Sequence, residues 1–403
     1  MSEWKEVTLK DITQLVIDYR GKTPLKLGGD WSDSGYRALS AKNVKTGIIV
    51  AEESIRYVNE NLYRRWMKDE VQRGDILITS EAPFGEVFFW NSDEKIVLSQ
   101  RLFDVRIKND VCAQYVYYYM TSYPFQAELR SRASGTTVLG LKQPELLKTK
   151  VVLPDYNTQQ RIAAQLSEID DKIAVNRRIC ENLEAQAQAL FKHLFIDFAP
   201  FKNGKFIESE LGMIPEGWRV GSLFDIAEVH DSKRKPLSGM QRAKMKKVYP
   251  YYGATEQMDM VDDYLFDGRY LLMGEDGSVV RENGLPYIQY VWGKIWVNNH
   301  AHVLTGKNGF TTEMLIPFLT KYNIRGLVTG AVQAKLNQAN MAKINLAIPP
   351  ISILENISVL FESLYDTYRN CCTEIVILST LRDTLLPKLM SGQIKVDEIE
   401  SRL

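Results

Sequence analysis

The chain has 403 residues, with 50 Lys and Arg against 50 Asp and Glu, so its formal net charge is zero. Hydrophobic residues make up 45% of the composition, which excludes an intrinsically disordered chain and allows sizeable cores. The even charge balance argues against a protein that holds nucleic acid by its own net charge. No apolar run reaches the roughly 18 residues that a membrane span needs, and the first residues lack signal-peptide character. The four cysteines show no CxxC spacing, so we expect a cytoplasmic protein with reduced thiols and no metal site.

Two stretches of the chain show strand and helix patterns in the same order. The strand patterns cover residues 74–80, 85–90 and 96–107 in the first stretch and residues 269–280 and 293–304 in the second. A helical pattern follows each set, at 114–125 and at 312–322. Each stretch therefore predicts a mixed α/β domain that is rich in strand.

Two long heptad patterns follow these stretches, with apolar residues at alternating spacings of four and three. The predicted seams are Ile162, Leu166, Ile169, Ile173, Asn176, Cys180, Leu183, Ala187, Leu190 and Leu194 in the first helix, and Ile357, Phe361, Leu364, Tyr368, Cys371, Ile375, Leu378, Arg382, Leu385 and Leu389 in the second. A seam this narrow is typical of a coiled coil, so we expect the two helices to pack on each other. Each would span about 39 residues, or roughly 58 Å.

An internal repeat relates the two halves of the chain. Residues 134–162 align with 329–357 at a constant offset of 195, and the register continues into the helices. Upstream, Trp4, Leu9, Asp11 and Ile12 recur as Trp218, Leu223, Asp225 and Ile226 at an offset of 214. A period this long indicates domain duplication and not a solenoid.

The predicted fold is α/β (α+β), with two similar mixed domains joined by two long antiparallel coiled-coil helices in a pseudo-two-fold repeat. Its parts are a first globular domain at 1–154, a first helix at 155–199, a second globular domain at 200–348 and a second helix at 349–403. Antiparallel pairing is expected because the first helix leads into the second domain and the second helix returns from it. Asn176 in the seam is either a register device paired with another amide or a tolerated polar residue.

Motifs for catalysis are missing from the sequence. It contains no GxxxxGK[ST] phosphate loop, no GxSxG elbow and no HExxH zinc motif. His300 and His302 have the spacing of one strand face and could ligate a metal, but no third ligand is near in sequence, which favours a structural role. We therefore interpret the chain as non-catalytic.

The stretch from Lys233 to Lys247 contains seven cations and no acidic residue. With Pro236 and Gly239 inside it, the stretch predicts either an exposed basic loop that contacts phosphates or a merely solvated surface. Two related domains separated by a rod would suit two DNA half-sites, because modules in neighbouring grooves lie about 34–36 Å apart or further. A protein-binding scaffold would have the same architecture.

Several segments resemble the specificity subunit of type I restriction–modification systems, and the resemblance covers essentially the whole chain. They are RGKTP (20–24), LSAKNVKTG (39–47), GDILITSEAPFGEV (74–87), LSQRLFDV (98–105), PDYNTQQRIAAQLSEIDDKI (154–173), ELGMIPEGW (210–218), YPYYGATEQMDMVDDYLFDGRYLLMGEDG and GKIWVNNHAHVL. The second helix departs most, because Glu355 and Asn356 stand where the first helix has Gln160 and Arg161.

This resemblance implies that residues 1–154 and 200–348 are target recognition domains that each bind one half of a bipartite site in double-stranded DNA. The helices would set the spacer and dock two methyltransferase subunits, with Arg161 and the outward helix faces as candidate partner surface. Those partners would hold S-adenosylmethionine, and restriction (translocase) subunits would use ATP and Mg, so no cofactor is expected on this chain. Partners that share the grip on DNA explain how a neutral chain can serve a DNA-binding complex.

The resemblance also points to residues in DNA-facing loops. They are Arg20, Lys22, Thr23, Lys42, Asn43, Gln100, Arg101, Thr136, Thr137 and Lys142 in the first domain, and Lys233, Arg234, Lys235, Tyr252, Glu275, Asp276, Asn299 and His300 in the second. Arg and Lys suit guanine or phosphate, Asn and Gln suit adenine, and carboxylates accept from cytosine. For each residue, a role in a turn or on a solvated surface is the alternative.

Two rival hypotheses stay open from sequence. A protein-binding coiled-coil scaffold shaped like a dumbbell would show no sequence-selective DNA binding, with or without a partner. A stand-alone enzyme would turn over substrate as an isolated chain, which the missing motifs argue against.

Overall fold

The computed structural model describes residues 4–135, 138–330 and 333–397. The chain forms two compact units: unit 1 consists of residues 1–174 with 375–403, and unit 2 of residues 175–374. The boundary falls inside both long helices, so each unit contains a part of each helix. No helix within the described ranges has the length and apolar character needed to cross a membrane.

Unit 1 is a mixed α/β structure. Its strands are β1 (Lys5–Thr8), β2 (Thr13–Asp18), β3 (Tyr36–Leu39), β4 (Val44–Lys45), β5 (Ile48–Ile49), β6 (Arg56–Val58), β7 (Ile76–Thr79), β8 (Val87–Phe89), β9 (Val97–Leu98), β10 (Leu102–Ile107) and β11 (Lys150–Leu153). Its helices are α1 (Leu9–Ile12), α2 (Glu60–Trp66), α3 (Ala113–Thr121), α4 (Tyr123–Ser131), α5 (Gln143–Leu147) and the first part of α6 (Tyr156–Phe191).

The main sheet of unit 1 has the strand order β2-β10-β7-β8, with antiparallel pairing throughout. Ile76 and Phe103 pack into one apolar cluster with α3, whereas Leu77 and Leu102 pack into a second cluster with Trp66 of α2. Both faces of the sheet are therefore buried, which is why the sequence here shows continuous apolar runs and not simple alternation. A smaller sheet, β6-β3-β9, has β3 and β9 parallel.

Unit 2 repeats this plan. Its strands are β12 (Phe206–Ser209), β13 (Gly212–Pro215), β14 (Arg219–Ser222), β15 (Ala227–Val229), β16 (Tyr249–Tyr252), β17 (Gln257–Val261), β18 (Phe266–Gly274), β19 (Ile288–Val297), β20 (Ala301–Gly306) and β21 (Asn345–Ile348). Its helices are α7 (Leu223–Ile226), α8 (Gly239–Ala243), α9 (Thr312–Thr320), α10 (Gln338–Met341), and parts of α6 and α11 (Ile351–Met390).

The six-stranded sheet of unit 2 has the order β15-β20-β18-β19-β16-β17. Its first four strands match β2-β10-β7-β8 of unit 1, and the parallel pair of β16 with β19 matches that of β3 with β9. In unit 1 residues 90–96 separate β8 from β9, whereas in unit 2 the single long β19 joins the two sheets. The duplication read from the sequence is therefore present in the strand topology.

The long helices run antiparallel within each unit. In unit 1 Arg382 of α11 donates from Nη1 to Oδ1 of Asp170 of α6 at 2.8 Å. In unit 2 Asn176 contacts Glu374, and the sulfur atoms of Cys180 and Cys372 lie 3.7 Å apart. Every predicted seam residue is buried or half-buried.

The C-terminal end of the first helix differs from the prediction. The predicted first helix covers 155–199, whereas α6 ends at Phe191 and a π-helical turn covers Lys192–Ile196. Phe191 stacks on Phe195 with ring centroids 4.7 Å apart, and Phe195 packs against Trp218. Apolar spacing reports which side chains face the core and not which backbone hydrogen bonds form, so the turn was not predictable from it.

Candidate nucleic-acid interface

In unit 1 a polar cavity of about 380 Å³ opens where β7 ends and β10 begins. It is lined by Arg20, Ser80, Glu81, Gln100, Arg101, Ser134, Gly140, Leu141 and Lys142. The DNA-facing residues predicted from sequence include Arg20, Gln100, Arg101 and Lys142 of this set. The fold thus brings together side chains from segments that are far apart in the sequence.

Three backbone segments meet at the floor of this cavity. Ser80 N donates to Arg101 O at 2.8 Å, and Leu141 N donates to Ser80 O at 3.0 Å. Ser134 and Gly140 exchange two backbone hydrogen bonds of 2.9 and 2.8 Å, which close the turn between them. These bonds hold the side chains around the cavity in fixed relative positions.

The two arginines of the cavity have different partners. Arg20 pairs with Asp18 (Nε to Oδ1, 2.8 Å), donates from Nη1 to Leu141 O and lies 3.9 Å from the ring centroid of Phe103. Arg101 pairs with Glu81 (Nε to Oε1, 2.6 Å), and its side chain is 49% exposed. Arg20 therefore supports the floor of the cavity, whereas Arg101 lies at its rim.

Unit 2 has the same backbone arrangement at the equivalent place. Glu275 N donates to His300 O at 2.8 Å, and Leu336 N donates to Glu275 O at 2.9 Å. Thr329 and Lys335 exchange two backbone hydrogen bonds of 2.9 and 2.7 Å, as Ser134 and Gly140 do in unit 1. Glu275 directly follows β18 and His300 directly precedes β20, the counterparts of β7 and β10.

A buried network of charged side chains lies beneath this arrangement in unit 2. His302 is 1% exposed, and its Nδ1 lies 2.6 Å from Asp231 Oδ2 while its Nε2 lies 2.7 Å from Leu336 O. Burial raises the pKa of Asp231, but hydrogen bonds from His302, Gln338 and the Val303 amide outweigh burial and bring it below the ordinary value.

Arg234 completes this network. Its Nη1 lies 2.6 Å from Glu275 Oε2, and its Nη2 lies 3.4 Å from Asp231 Oδ2. The possible ligand atoms of Asp231, Glu275 and His302 are within 4.8 Å of one another, a spacing that suits a cation. Because the Arg234 guanidinium already supplies the positive charge, we interpret the cluster as structural, the role that the sequence favoured for His302.

The other predicted DNA-facing residues have varied environments. Lys22 donates to Trp66 O and lies over the Tyr19 ring, while the Thr23 hydroxyl accepts from Lys26 N. Tyr252 is half-buried on β16, and burial raises its pKa. Those with exposed side chains are Lys42, Gln100, Lys142, Lys233, Lys235 and Asn299. Thr136 and Thr137 lie outside the described residues.

Comparison with known proteins shows which protein family has this architecture. A family model described as "Type I restriction modification DNA specificity domain" matches residues 1–185 and 215–370. The chain belongs to this family. The type I restriction enzyme MjaIX specificity subunit of Methanocaldococcus jannaschii is 29% identical over 422 residues, which cover 98% of this chain and 95% of that protein.

Other relatives agree with this assignment. The putative type I restriction enzyme specificity subunit S.HindORF215P of Haemophilus influenzae is 34% identical over 162 residues, 40% of each chain. The crystal structure of a type I restriction–modification S subunit from M. genitalium matches 96% of both chains with a TM-score of 0.60 at 14% identity, which shows the shared fold. Specificity subunits are non-catalytic components of their complexes, and this chain is one of them.

Three residues predicted to face DNA in this specificity subunit have internal partners instead. Asn43 is 1% exposed: Oδ1 accepts from the Ser40 amide and hydroxyl, and Nδ2 donates to Ala51 O. The carboxylate of Glu275 and the guanidinium of Arg234 are bound to each other within the buried network. Their partners are distant in sequence, so the resemblance alone gave no sign of these contacts.

Two other sequence interpretations need correction. The stretch from Lys233 to Lys247 is not simply an exposed loop, because it contains α8 and because Arg242 pairs with Asp259 (Nε to Oδ2, 3.0 Å). His300 and His302 do not share a strand face: His300 lies in the turn before β20 and only His302 is on the strand. Arg161, a candidate for partner contact, pairs with Asp397.

Sequence reasoning missed some residues of the cavity, namely Ser80, Glu81, Ser134 and Gly140. The repeat contained part of the signal, because its offset of 195 places Ser134 on Thr329 and Gly140 on Lys335. Ser80 and Glu81 directly follow the apolar strand β7, and Glu81 is half-buried there.

Proposed function

We propose that unit 1 and unit 2 of this specificity subunit each read one half of a bipartite sequence in double-stranded DNA. The observation that supports this most directly is the repeated backbone arrangement, with Arg101 and Glu81 above it in unit 1 and His300 and Asp276 in unit 2. Two sites of the same construction with different side chains suit two half-sites of different sequence.

The long helices are proposed to fix the number of base pairs between the half-sites. Both pass from one unit to the other, and α6 and α11 contain 36 and 40 residues. At about 1.5 Å per residue they are roughly 54 and 60 Å long, more than one turn of duplex DNA. A helix of constant length provides a spacer that does not depend on the intervening bases.

Two methyltransferase subunits are proposed to dock on the outward faces of the helices, where Val376 and Ile377 are more than 60% exposed. These partners would bring S-adenosylmethionine, and restriction subunits would bring ATP and Mg. The complex would act in the cytoplasm. Because the chain is neutral, it should bind DNA weakly alone and tightly only with these partners.

The experiment is to map methylated adenines in the source genome with and without this gene. One bipartite motif should lose methylation when the gene is deleted, and the purified complex with its methyltransferase should protect the same motif from nuclease. An unchanged methylation map, together with no sequence-selective protection, would instead support a protein-binding scaffold.

A further inference from the structure

A basic and an acidic side chain face each other at the equivalent place in both units. In unit 1 Arg101 Nε lies 2.6 Å from Glu81 Oε1, and in unit 2 His300 Nδ1 lies 3.7 Å from Asp276 Oδ2. We call these the rim pairs. Each basic residue directly precedes a central strand, β10 or β20, and each acidic residue follows the neighbouring strand, β7 or β18, after one intervening residue.

The equivalence of the rim pairs does not depend on their side chains. The carbonyls of Arg101 and His300 accept from Ser80 N and Glu275 N, each at 2.8 Å. The residues after these donors are Glu81 and Asp276. The two units therefore hold a basic residue and an acidic residue at the same position of the backbone.

The rim pairs differ from the other charges nearby in exposure. Arg234 is 11% exposed and Arg20 is 28% exposed, and both are bound to internal carbonyls and carboxylates. In contrast, Arg101 is 49% and His300 is 44% exposed. The inner charges stabilise the floor of each site, and the rim pairs remain available to a ligand.

The backbone at Arg101 also indicates a functional role. Arg101 has φ +65°, a left-handed conformation that costs about 1 kcal/mol for a residue with a Cβ and that glycine adopts freely. An exposed ion pair contributes at most about 1 kcal/mol to stability, so folding gives little reason to place an arginine here. Such a conformation is typical of side chains that are held for binding.

We propose that each rim pair reads one G·C base pair in the half-site bound by its unit, an inference that rests on the proposed function. Glu81 holds Arg101 through Nε, which leaves the two Nη groups to donate to guanine O6 and N7 in the major groove. His300 donates to the same edge of a guanine in the other half-site. Glu81 orients the Arg101 guanidinium and so acts as a positioning residue, and Asp276 lies beside the His300 ring at 3.7 Å.

The two units differ in how strongly they discriminate a G·C pair from other base pairs. A guanidinium forms two parallel hydrogen bonds with a guanine edge, whereas an imidazole forms one. Unit 1 therefore rejects substitution at its G·C pair more strongly than unit 2 does. A bidentate contact corresponds to about 10- to 100-fold discrimination.

The test uses the complex of the full chain with its methyltransferase subunits and DNA duplexes that carry the mapped motif. Each G·C pair of both half-sites is changed singly to A·T, and binding of the wild type, Arg101→Ala, Arg101→Lys, Glu81→Gln and His300→Ala is measured. Arg73→Ala is the matched control, because Arg73 forms an exposed ion pair with Asp93 in the same unit (2.7 Å).

Arg101→Ala should lose about 10- to 100-fold discrimination at one G·C pair of the first half-site, with the second half-site unaffected. Arg101→Lys should retain the salt dependence but not the discrimination, and Glu81→Gln should reduce discrimination in part. His300→Ala should relax one pair of the other half-site, while Arg73→Ala changes nothing.

Three results would overturn the inference. One is unchanged discrimination at every position in Arg101→Ala. Another is equal loss of affinity for all duplexes with a smaller salt slope, which would make Arg101 a phosphate contact. The third is a melting temperature of Arg101→Ala that lies below that of Arg73→Ala by enough to explain the lost discrimination through unfolding. Failure of the wild-type complex to select any bipartite motif would count against the proposed function itself.

Discussion

Asn176 on α6 donates from Nδ2 to Oε2 of Glu374 on α11 at 2.8 Å, inside unit 2. Asn176 is 1% exposed and lies in the seam between Ile173 and Cys180, which are also buried. A polar group in an apolar seam is costly unless it is paired, so this contact favours one register of the two helices. The sequence left open a register device with an amide partner or a tolerated polar residue; the observed partner is a carboxylate.

Asn176→Asp should destabilise unit 2 at neutral pH, because it places a second carboxylate against Glu374. We expect a loss of about 2–3 kcal/mol in the free energy of unfolding. The pKa of the new pair would be raised in the folded state, so stability should recover as the pH falls through that raised value. Thermal unfolding between pH 4 and 8 measures this effect.

The matched control is Asn176→Asp combined with Glu374→Gln, which restores a neutral partner. This double variant should recover most of the lost stability and show little pH dependence. Equal destabilisation of the single and double variants would mean that the 2.8 Å contact does not determine the effect.

Asp104 on β10 gives the wild-type chain a pH dependence of the same sign in unit 1. It is fully buried, and burial first and the Asp75 carboxylate second raise its pKa well above the ordinary value. The unfolded chain ionises at the ordinary pKa and the folded chain resists ionisation, so wild-type stability falls as the pH rises through this interval. Asp104→Asn should stabilise unit 1 by about 1–2 kcal/mol at pH 7 and should abolish this dependence.

Chemical denaturation of wild type and Asp104→Asn at pH 4 and pH 7 measures the difference. Asp93→Asn is the control, because Asp93 is exposed and its pair with Arg73 lowers its pKa. That variant should gain no stability at pH 7. If Asp104→Asn were less stable than the wild type at both pH values, Asp104 would be ionised and paired in the folded state.

The sequence predicted those features that depend on periodicity, and missed those that depend on distant partners. The two seams, which begin at Ile162 in α6 and end at Leu389 in α11, could be predicted because heptad spacing repeats along each helix. The burial of Asn43 could not, because its partners include Ala51 and Ser54 in a loop without a pattern. The duplication was a stronger guide, since it aligned Ser134 with Thr329 and Gly140 with Lys335, but only the backbone hydrogen bonds showed that Glu81 and Asp276 are equivalent.

Variants of Arg234 and of its neighbours Lys233 and Lys235 distinguish a charge that stabilises the fold from charges that contact DNA. Arg234→Ala should destabilise unit 2 by about 3 kcal/mol, because Glu275 and Asp231 would lose their buried partner. The double variant Lys233→Ala with Lys235→Ala should keep its stability within about 0.5 kcal/mol, since both side chains are exposed.

The same variants should differ in DNA binding by the assembled complex. The lysine double variant should weaken binding to all sequences alike and lower the salt slope by about 2, as expected for two lost phosphate contacts. Unfolding curves and salt titrations of both variants provide the measurements. Unchanged salt dependence in the lysine variant would show that these residues form a solvated surface and do not contact DNA.

Gly135 and Gly330 precede Leu141 and Leu336, whose amides donate to Ser80 O and Glu275 O at the two sites. They have φ +109° and +96°, and a Cβ would lie 2.2 Å from Val138 O at Gly135 and 2.0 Å from Gln333 O at Gly330. Alanine at either position is therefore strained in conformation and too close to backbone atoms, and the local backbone must shift at a cost of about 1–3 kcal/mol.

Gly135→Ala should lose recognition of the first half-site alone, and Gly330→Ala of the second alone, in methylation assays with both half-sites varied. Gly21→Ala is the control, because no atom lies within 4 Å of its Cβ position. Loss of both half-sites from either single change would contradict the independence of the two units.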